Sequence, residues 1–404
     1  MIDRVLVFVD RADGEPAEVG EAFFTAKGGR LVSTTFRYDT GWLARRGSFP
    51  LDPDLPLVSG TLNVAGLPGA LQDCSPDRWG RNLIAKQHRA LAREQGRRAA
   101  TLTEQDYLVG VSDSTRQGAL RVKAAEDGPF LGTGASVPPL LQLPRLLRAA
   151  DSVGRSDDLP AIKELLAAGS GSLGGARPKA SVMDGDRLMI AKFPHADDEW
   201  DVMAWERTAL DLAASAGIAV PPARLTEADG RSVLLVERFD RDDDGTRVAF
   251  MSAMTMLGAR DGDVHDYLEI ADAIPEHSAA ARDDLRQLWR RALFSVLINN
   301  VDDHLRNHAF LRSGSGWVLS PVFDVNPNPD PGTSRQTTIG GAAGREQELD
   351  ALLEYAAVFD LTPVQARAAL EEVSAAVAGW RDVAAGHGVA EQEIDRFRDA
   401  FWVR

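Results

Sequence analysis

The stretch Ile298-Asn299-Asn300-Val301-Asp302-Asp303-His304-Leu305-Arg306-Asn307-His308 lies in the mainly helical second half of this chain. It sets Asp302 and Asn307 five residues apart. That D-x-x-x-x-N spacing suits phosphoryl transfer, in which the carboxylate accepts the proton of an acceptor hydroxyl and the amide oxygen holds Mg²⁺. Asp303 cannot take the first role in the same pattern, because no Asn stands five residues after it. Two other readings of the stretch remain open. His304 and His308, one helical turn apart beside two carboxylates, could bind a metal, although the H-E-x-x-H order is missing. The polar residues could also simply cap a helix N-terminus.

Downstream, Ser320-Pro321-Val322-Phe323-Asp324-Val325-Asn326-Pro327 ends an apolar segment on Asp324, 22 residues beyond Asp302. A second metal-binding aspartate belongs at that place in a kinase. Upstream, Lys192 sits in Leu188-Met189-Ile190-Ala191-Lys192-Phe193, a run with the character of a buried strand. A buried ammonium is costly unless it meets anions, and the strand lysine of a kinase meets nucleotide phosphates and a helix glutamate. Glu206, on the helix expected across Trp200–Ala216, is the candidate for that glutamate. Alternatively, Lys192 could snorkel from a strand end. Further upstream, Gly169-Ser170-Gly171-Ser172-Leu173-Gly174-Gly175-Ala176-Arg177-Pro178-Lys179 is rich in glycines, which let backbone N–H groups approach phosphates. It lacks the G-K-[ST] ending of a P-loop. Glycine loop, strand Lys, helix Glu, D-x-x-x-x-N and later Asp follow one another in kinase order, which predicts an ATP- and Mg²⁺-dependent phosphotransferase.

The rest of the chain fits an α+β, bilobal protein-kinase-like fold with an additional N-terminal α/β subdomain and a helical C-terminal lobe. Residues 1–125 carry strand-like runs at Val5–Val9, Ala22–Thr25, Leu31–Phe36 and Gly118–Val122, and a helical stretch beginning at Asp77 and reaching toward Arg98. A Gly-, Pro- and Ser-rich linker at 123–143 separates them from a small lobe at 144–240 and a helical lobe at 241–404. The small lobe has strands at Ala180–Met183, Leu188–Phe193 and Val233–Arg238. A hairpin, His308–Arg312 to Trp317–Leu319, interrupts the helical lobe. The net charge of −15 argues against a large basic surface for unaided nucleic-acid binding. Cys74 is the single cysteine, so no intrachain disulfide forms, and no apolar run reaches the roughly 20 residues of a membrane span. A cytoplasmic protein with no membrane attachment is expected.

At these residues the sequence resembles the HipA family of kinase toxins. Ser172-Leu173-Gly174-Gly175-Ala176-Arg177-Pro178-Lys179 is similar to its phosphate loop, and Glu237-Arg238-Phe239-Asp240-Arg241 to its hinge. Asp302–Asn307 and Phe323-Asp324 are similar to its catalytic and metal motifs, with His304 inside the catalytic one. Ser75–Arg81, Ser252–Leu257 and Tyr267–Ile270 also resemble family segments. The resemblance implies phosphate contacts from Ser172, Leu173, Gly174, Gly175, Lys179 and Lys192, and adenine contacts near Glu237, Phe239 and Asp240. Asp302 and His304 would be catalytic, and Asn307 and Asp324 would hold Mg²⁺. It further implies a protein Ser/Thr substrate, an aminoacyl-tRNA synthetase in the family, and a HipB-like antitoxin that contacts DNA on the kinase's behalf. Ser172 sits where the family carries an autophosphorylated serine whose modification expels the loop, with Ser170 as its neighbouring rival.

Ordinary protein-kinase motifs are altered here. Asn300-Val301 stands where H-R would precede the catalytic Asp, Val325-Asn326 replaces F-G, and no A-P-E segment is visible. Activation-loop control is therefore not expected. Two alternative functions keep part of the pattern: a small-molecule kinase of aminoglycoside or homoserine type, and a catalytically weak corepressor acting with its antitoxin.

Overall fold

The run Val5–Val9 is buried at all five positions. A strand covered on both faces reads as a continuous apolar run, not as an alternation. It forms the middle of β1 (Arg4–Asp10), which is followed by β2 (Pro16–Lys27), β3 (Arg30–Tyr38), β4 (Leu62–Ala65) and β5 (Leu120–Lys123). The five strands make one sheet in the order β4-β3-β2-β1-β5, and β1 runs antiparallel to both neighbours. The structure, a computed structural model, describes residues 2–11, 15–132, 136–172, 175–260 and 262–403.

β2 is far longer than the apolar run Ala22–Thr25 indicates. Glu18, Gly20 and Glu21 break the apolar pattern, yet β2 pairs with β3 from Gly20 to Lys27 and with β1 from Pro16 to Phe23. Gly20 is required by close approach, since a Cβ there would lie 2.2 Å from the Arg37 carbonyl oxygen.

By its contacts the chain divides into two units. The first is Met1–Asp197, Ala228–Arg231 and Leu235–Met251; the second is Asp198–Glu227, Ser232–Leu234 and Ser252–Arg404. A second sheet runs β6 (Lys179–Asp184), β7 (Arg187–Lys192), β9 (Arg231–Glu237) and β8 (Ala223–Ala228) in that spatial order. β6 and β7 are joined by the two-residue loop Gly185-Asp186, with Gly185 at φ +61°, as a type II′ hairpin requires.

In the first unit the helix Arg78–Glu94 buries Trp79, Leu83, Ile84 and Ala90 on one stripe. Gly80, near its start, abuts the turn Ser170–Ser172, and a Cβ there would fall 2.9 Å from the Gly171 carbonyl. The base of the glycine-rich segment thus rests directly on this helix.

The second unit is built around the helix Ala281–Leu297, whose residues are nearly all buried from Asp284 onward. Its C-terminal end, Arg291–Leu297, is buried at every position, and that end runs through the core. Trp205 stacks on Phe397 at 3.9 Å and Trp380 on Phe401 at 4.3 Å, tying the helices Val202–Ser215 and Trp380–Gly386 to the residues after Glu391–Arg396. The hairpin Ala309–Ser313/Gly316–Leu319 lies where the sequence places it. A two-residue parallel pairing, His265–Asp266 with Thr337–Thr338, is too short to leave a sequence signal. Among the described residues no helix is long and apolar enough to cross a membrane.

Candidate active site

The buried helix Ala281–Leu297 ends at Ile298, and the chain turns at once because Asn299 adopts the left-handed conformation, φ +56°. Asn tolerates that region better than most residues. The Asn299 side-chain amide donates to the carbonyls of Asn328 and Asp330, at 2.8 and 2.9 Å. Asn300 is likewise buried, its Oδ1 accepting from Asn326 N at 3.2 Å. The motif that follows is an extended loop closing in the 3₁₀ turn Leu305–Asn307; no α-helix begins there. The helix-capping alternative is therefore set aside.

Asp302 and Asp303 are adjacent and opposite in character. Asp303 is a buried hub: its Oδ2 accepts from Tyr267 Oη and, at 2.9 Å, from Ser295 Oγ. Its Oδ1 lies 3.1 Å from His308 Nε2. Burial alone would raise its pKa, but His308 and the hydroxyl donors outweigh that and hold the carboxyl well below the ordinary carboxylate range. Its own carbonyl accepts from Thr337 Oγ1 at 2.6 Å. Asp302 is exposed at the loop tip, and its Oδ1 accepts from Gln336 Nε2 at 2.5 Å. Partial loss of solvent raises its pKa; nearby His304 opposes this, while the Asp324 and Asp303 carboxylates reinforce it. A carboxylate pushed upward and open to solvent has the character of a base, whereas the other is a structural anchor.

His308 is spent on Asp303 and packs edge-on against Tyr267 at 5.4 Å. Among the described residues no three His, Cys, Asp or Glu side chains converge as a metal cage. The histidine metal site is thereby corrected: one of its two ligands belongs to the core. His304 is half-buried beside Asp302.

Asn307 is buried, and its Nδ2 donates to the Asp302 carbonyl at 3.1 Å. That bond fixes the amide so that Oδ1, a hard oxygen acceptor, is the atom left for a cation. Asp324 takes the left-handed conformation, φ +58°. Such backbone costs of order 1–3 kcal/mol and concentrates at functional sites. One amide oxygen and one carboxylate suit Mg²⁺, which binds few protein oxygens and completes its octahedron with phosphates and water. This donor set fits the implied ion.

The residues implied for the nucleotide lie mostly in the first unit. Lys179 and Lys192 are direct cross-strand partners at the open end of the β6–β7 hairpin. Both are buried, at 3% and 9% exposure. Cross-strand partners share one face of a sheet, and like charges placed so destabilise it unless anions lie between them. Sequence reasoning found each lysine but not their pairing. Ser172 is buried in the turn Ser170–Ser172, 2.8 Å from Thr115 Oγ1, and Ser170 Oγ donates to the Lys179 carbonyl. Gly175 has φ +94°, which a side chain would strain. Leu173 and Gly174 lie outside the described residues. Glu206 is buried in the helix Val202–Ser215, which belongs to the second unit.

The residues expected to form the hinge are heavily engaged. Both Glu237 carboxylate oxygens accept from Arg187 Nη1 at 2.7 Å. Asp240 is buried and receives Arg238 Nε at 2.8 Å, Arg241 Nη1 at 3.0 Å and Gly118 N at 2.7 Å. Burial opposes its ionisation, but the two guanidiniums prevail and keep its pKa well below the usual range. The Asp240 side chain is therefore a strut between residues 238–241 and residues 115–118, joined by Arg238 Nη1 donating to the Thr115 carbonyl at 2.6 Å. Phe239 stands between these two residues, half-buried.

The sequence reading missed Tyr267, Ser295, Arg335, Gln336 and Thr337 as supports of the loop through Asp302 and Asp303, and Thr115 beneath Ser172. They are distant in sequence and of ordinary residue types. Only Tyr267 lay in a segment already singled out.

Fold and residue order together define a protein of the kinase-like class. A HipA-like C-terminal domain matches residues 171–380, and a HipA N-terminal domain matches residues 16–104. The chain belongs to the HipA family. Its fold aligns with a chain of the HipA, HipB and operator DNA complex of the Shewanella oneidensis MR-1 toxin–antitoxin system at TM-score 0.64. That match has 16% identity and covers 98% of this chain and 94% of the other. Y4mE of Sinorhizobium fredii, which carries a kinase name, is 25% identical over 72% of this chain and 71% of its own length. A partial likeness, TM-score 0.38 and 17% identity, extends to the proinflammatory kinase CtkA of Helicobacter pylori over 52% of this chain and 91% of that one.

Proposed function

We propose that this chain is a serine/threonine protein kinase of toxin–antitoxin type, transferring the γ-phosphate of ATP to a hydroxyl of a protein. The observation that carries the reading is the contrast within the catalytic loop. Asp303 is locked in the core, Asp302 is exposed with a raised pKa, and Asn307 is fixed with its oxygen available. In the transfer, the acceptor oxygen attacks the γ-phosphorus, its proton passes to Asp302, and the bond to the β-phosphate oxygen breaks as ADP departs. Lys179 and Lys192 neutralise phosphate oxygens, with Glu206 as the glutamate of the strand lysine. Glu237, Phe239 and Asp240 carry the hinge toward adenine, through backbone groups where their carboxylates are already engaged. Asn307 and Asp324 would hold Mg²⁺, which supplies charge neutralisation for the transferring phosphoryl group. His304 sits beside Asp302 as a further catalytic candidate.

Membership in the HipA family supports a target in translation, an aminoacyl-tRNA synthetase being the expected class. It also supports a HipB-like DNA-binding antitoxin, of the kind solved with the Shewanella protein. The acidic net charge of −15 agrees with DNA contact left to that partner. Absence of a spanning helix among the described residues and a lone buried Cys74 accord with a cytoplasmic location. Autophosphorylation of Ser172 would add close to two negative charges beside the ATP phosphate site and switch the loop off.

The test is phosphoproteomics after induced expression, comparing wild type with Asp302→Asn. New phosphoserine or phosphothreonine in one or a few proteins of wild-type cells alone supports the reading. Identical phosphoproteomes, with a sugar or amino alcohol consumed instead, would show a small-molecule kinase.

A further inference from the structure

The segment Arg335–Thr337 meets the catalytic loop residue by residue. Arg335 Nη1 donates to the Asn300 carbonyl at 2.6 Å, Gln336 N to the Val301 carbonyl at 2.9 Å, and Thr337 Oγ1 to the Asp303 carbonyl at 2.6 Å. Between them, Gln336 Nε2 donates to Asp302 Oδ1. The clamp is itself braced. Arg335 also reaches the Ser295 carbonyl at 3.3 Å and pairs with buried Glu348 at 3.0 Å. Thr337 is 1% exposed, and Thr337–Thr338 pair with His265–Asp266. The Gln336 backbone is thus pinned on both sides, while its side chain is exposed and spent on a single partner.

We propose that Gln336 is a positioning residue for Asp302. Among the described residues it is the one side chain that hydrogen-bonds the Asp302 carboxylate. A carboxylate only accepts, so the amide must present its N–H₂ to it. With Oδ1 held, rotation of the exposed carboxylate is curtailed and Oδ2 is the oxygen left to take the acceptor proton. Asp303 needs no such help, since the core grips both its oxygens. The division of labour is physically sensible. A base buried like Asp303 could not meet a substrate, and a base left free on a loop tip would lose orientation, where a misplacement near 1 Å costs about 100-fold in rate.

This inference rests on the kinase reading, and the experiment separates the two. Steady-state ATP hydrolysis, with water as acceptor and Mg²⁺ present, is measured on the full chain for wild type, Asp302→Asn, Gln336→Leu and Gln336→Lys. Leu keeps the bulk and loses the donor; Lys keeps length and a donor. The expected result is that Gln336→Leu lowers kcat about 10- to 100-fold. Its KM for ATP should stay within about twofold and its melting temperature should be unchanged, while Gln336→Lys recovers most of the rate. Gln336→Leu at wild-type kcat overturns the inference. So does a loss of rate in Leu and Lys alike with a matching fall in melting temperature, because that is a structural role. Wild-type turnover no greater than that of Asp302→Asn sinks the kinase reading and this inference with it.

Discussion

Replacing Asp303 by Ala removes the anchor of the loop that carries Asp302 and leaves its donors stranded. Tyr267, Ser295 and His308 are 0%, 4% and 1% exposed, so none finds water in exchange. Each hydrogen bond to a charged group contributes about 1.5–3 kcal/mol net. Removing the acceptor also leaves buried donors unsatisfied, at about 1–3 kcal/mol each. The expected loss for Asp303→Ala is therefore about 3–5 kcal/mol. Tyr267→Phe removes one donor and leaves Ser295 and His308 on the carboxylate, so about 1.5–3 kcal/mol is expected. The two residues share a network, so the double mutant should lose less than the sum of the singles. Urea titration near pH 7, followed by tryptophan fluorescence at constant m-value, reads these differences. The pH dependence follows in sign. The folded pKa of Asp303 lies below its unfolded value, so its contribution is fully present above about pH 4 and fades as pH falls further. The gap between wild type and Asp303→Ala should narrow as pH falls below about 4. A gap under about 1 kcal/mol at pH 7, or a Tyr267→Phe loss equal to that of Asp303→Ala, would refute the hub.

Asp240→Ala should destabilise by about 3–5 kcal/mol, because Arg238 and Arg241 are left buried without their carboxylate; a melting temperature equal to wild type would count against the strut. Mg²⁺–ATP at about 100 times its Kd should add roughly 2.7 kcal/mol of stability, and chelator should remove most of it. Equal thermal shifts with and without metal would dismiss Asn307 and Asp324 as ligands. Incubation with ATP and Mg²⁺ should add one phosphate at Ser172 and weaken ATP binding, the buried contact with Thr115 being broken in the process. Peptide mass spectrometry that finds phosphate only on Ser170 would overturn that assignment.

What the sequence revealed follows from range. The β6–β7 hairpin, the helix carrying Glu206 and the hairpin after His308 are local patterns, and they appear within a residue or two of their expected bounds. The Asp302–Asn307 spacing is local as well, and the structure fixes Asn307 onto the Asp302 carbonyl. The identity of Asp303 as anchor needed Tyr267 and Ser295, 36 and 8 residues away in the chain. The long-range part of the Glu237 and Asp240 engagement was invisible for the same reason: Glu237 meets Arg187 across 50 residues and Asp240 meets Gly118 across 122. The pairing of Lys179 with Lys192 lay within reach, because a two-residue hairpin loop at Gly185-Asp186 fixes the register that opposes them. β2 was underestimated because Gly20 and the flanking glutamates serve close strand packing and one solvated face, which an apolar-run criterion cannot register.

The most direct test of the central claim is transfer of labelled γ-phosphate from ATP by the purified chain, to itself and to proteins of a cell extract, for wild type, Asp302→Asn and Asp324→Asn. Wild type should label a serine or threonine in a Mg²⁺-dependent manner. Each variant, still folded by circular dichroism, should fall by roughly a thousandfold or more. Folded variants that label as fast as wild type would contradict the account.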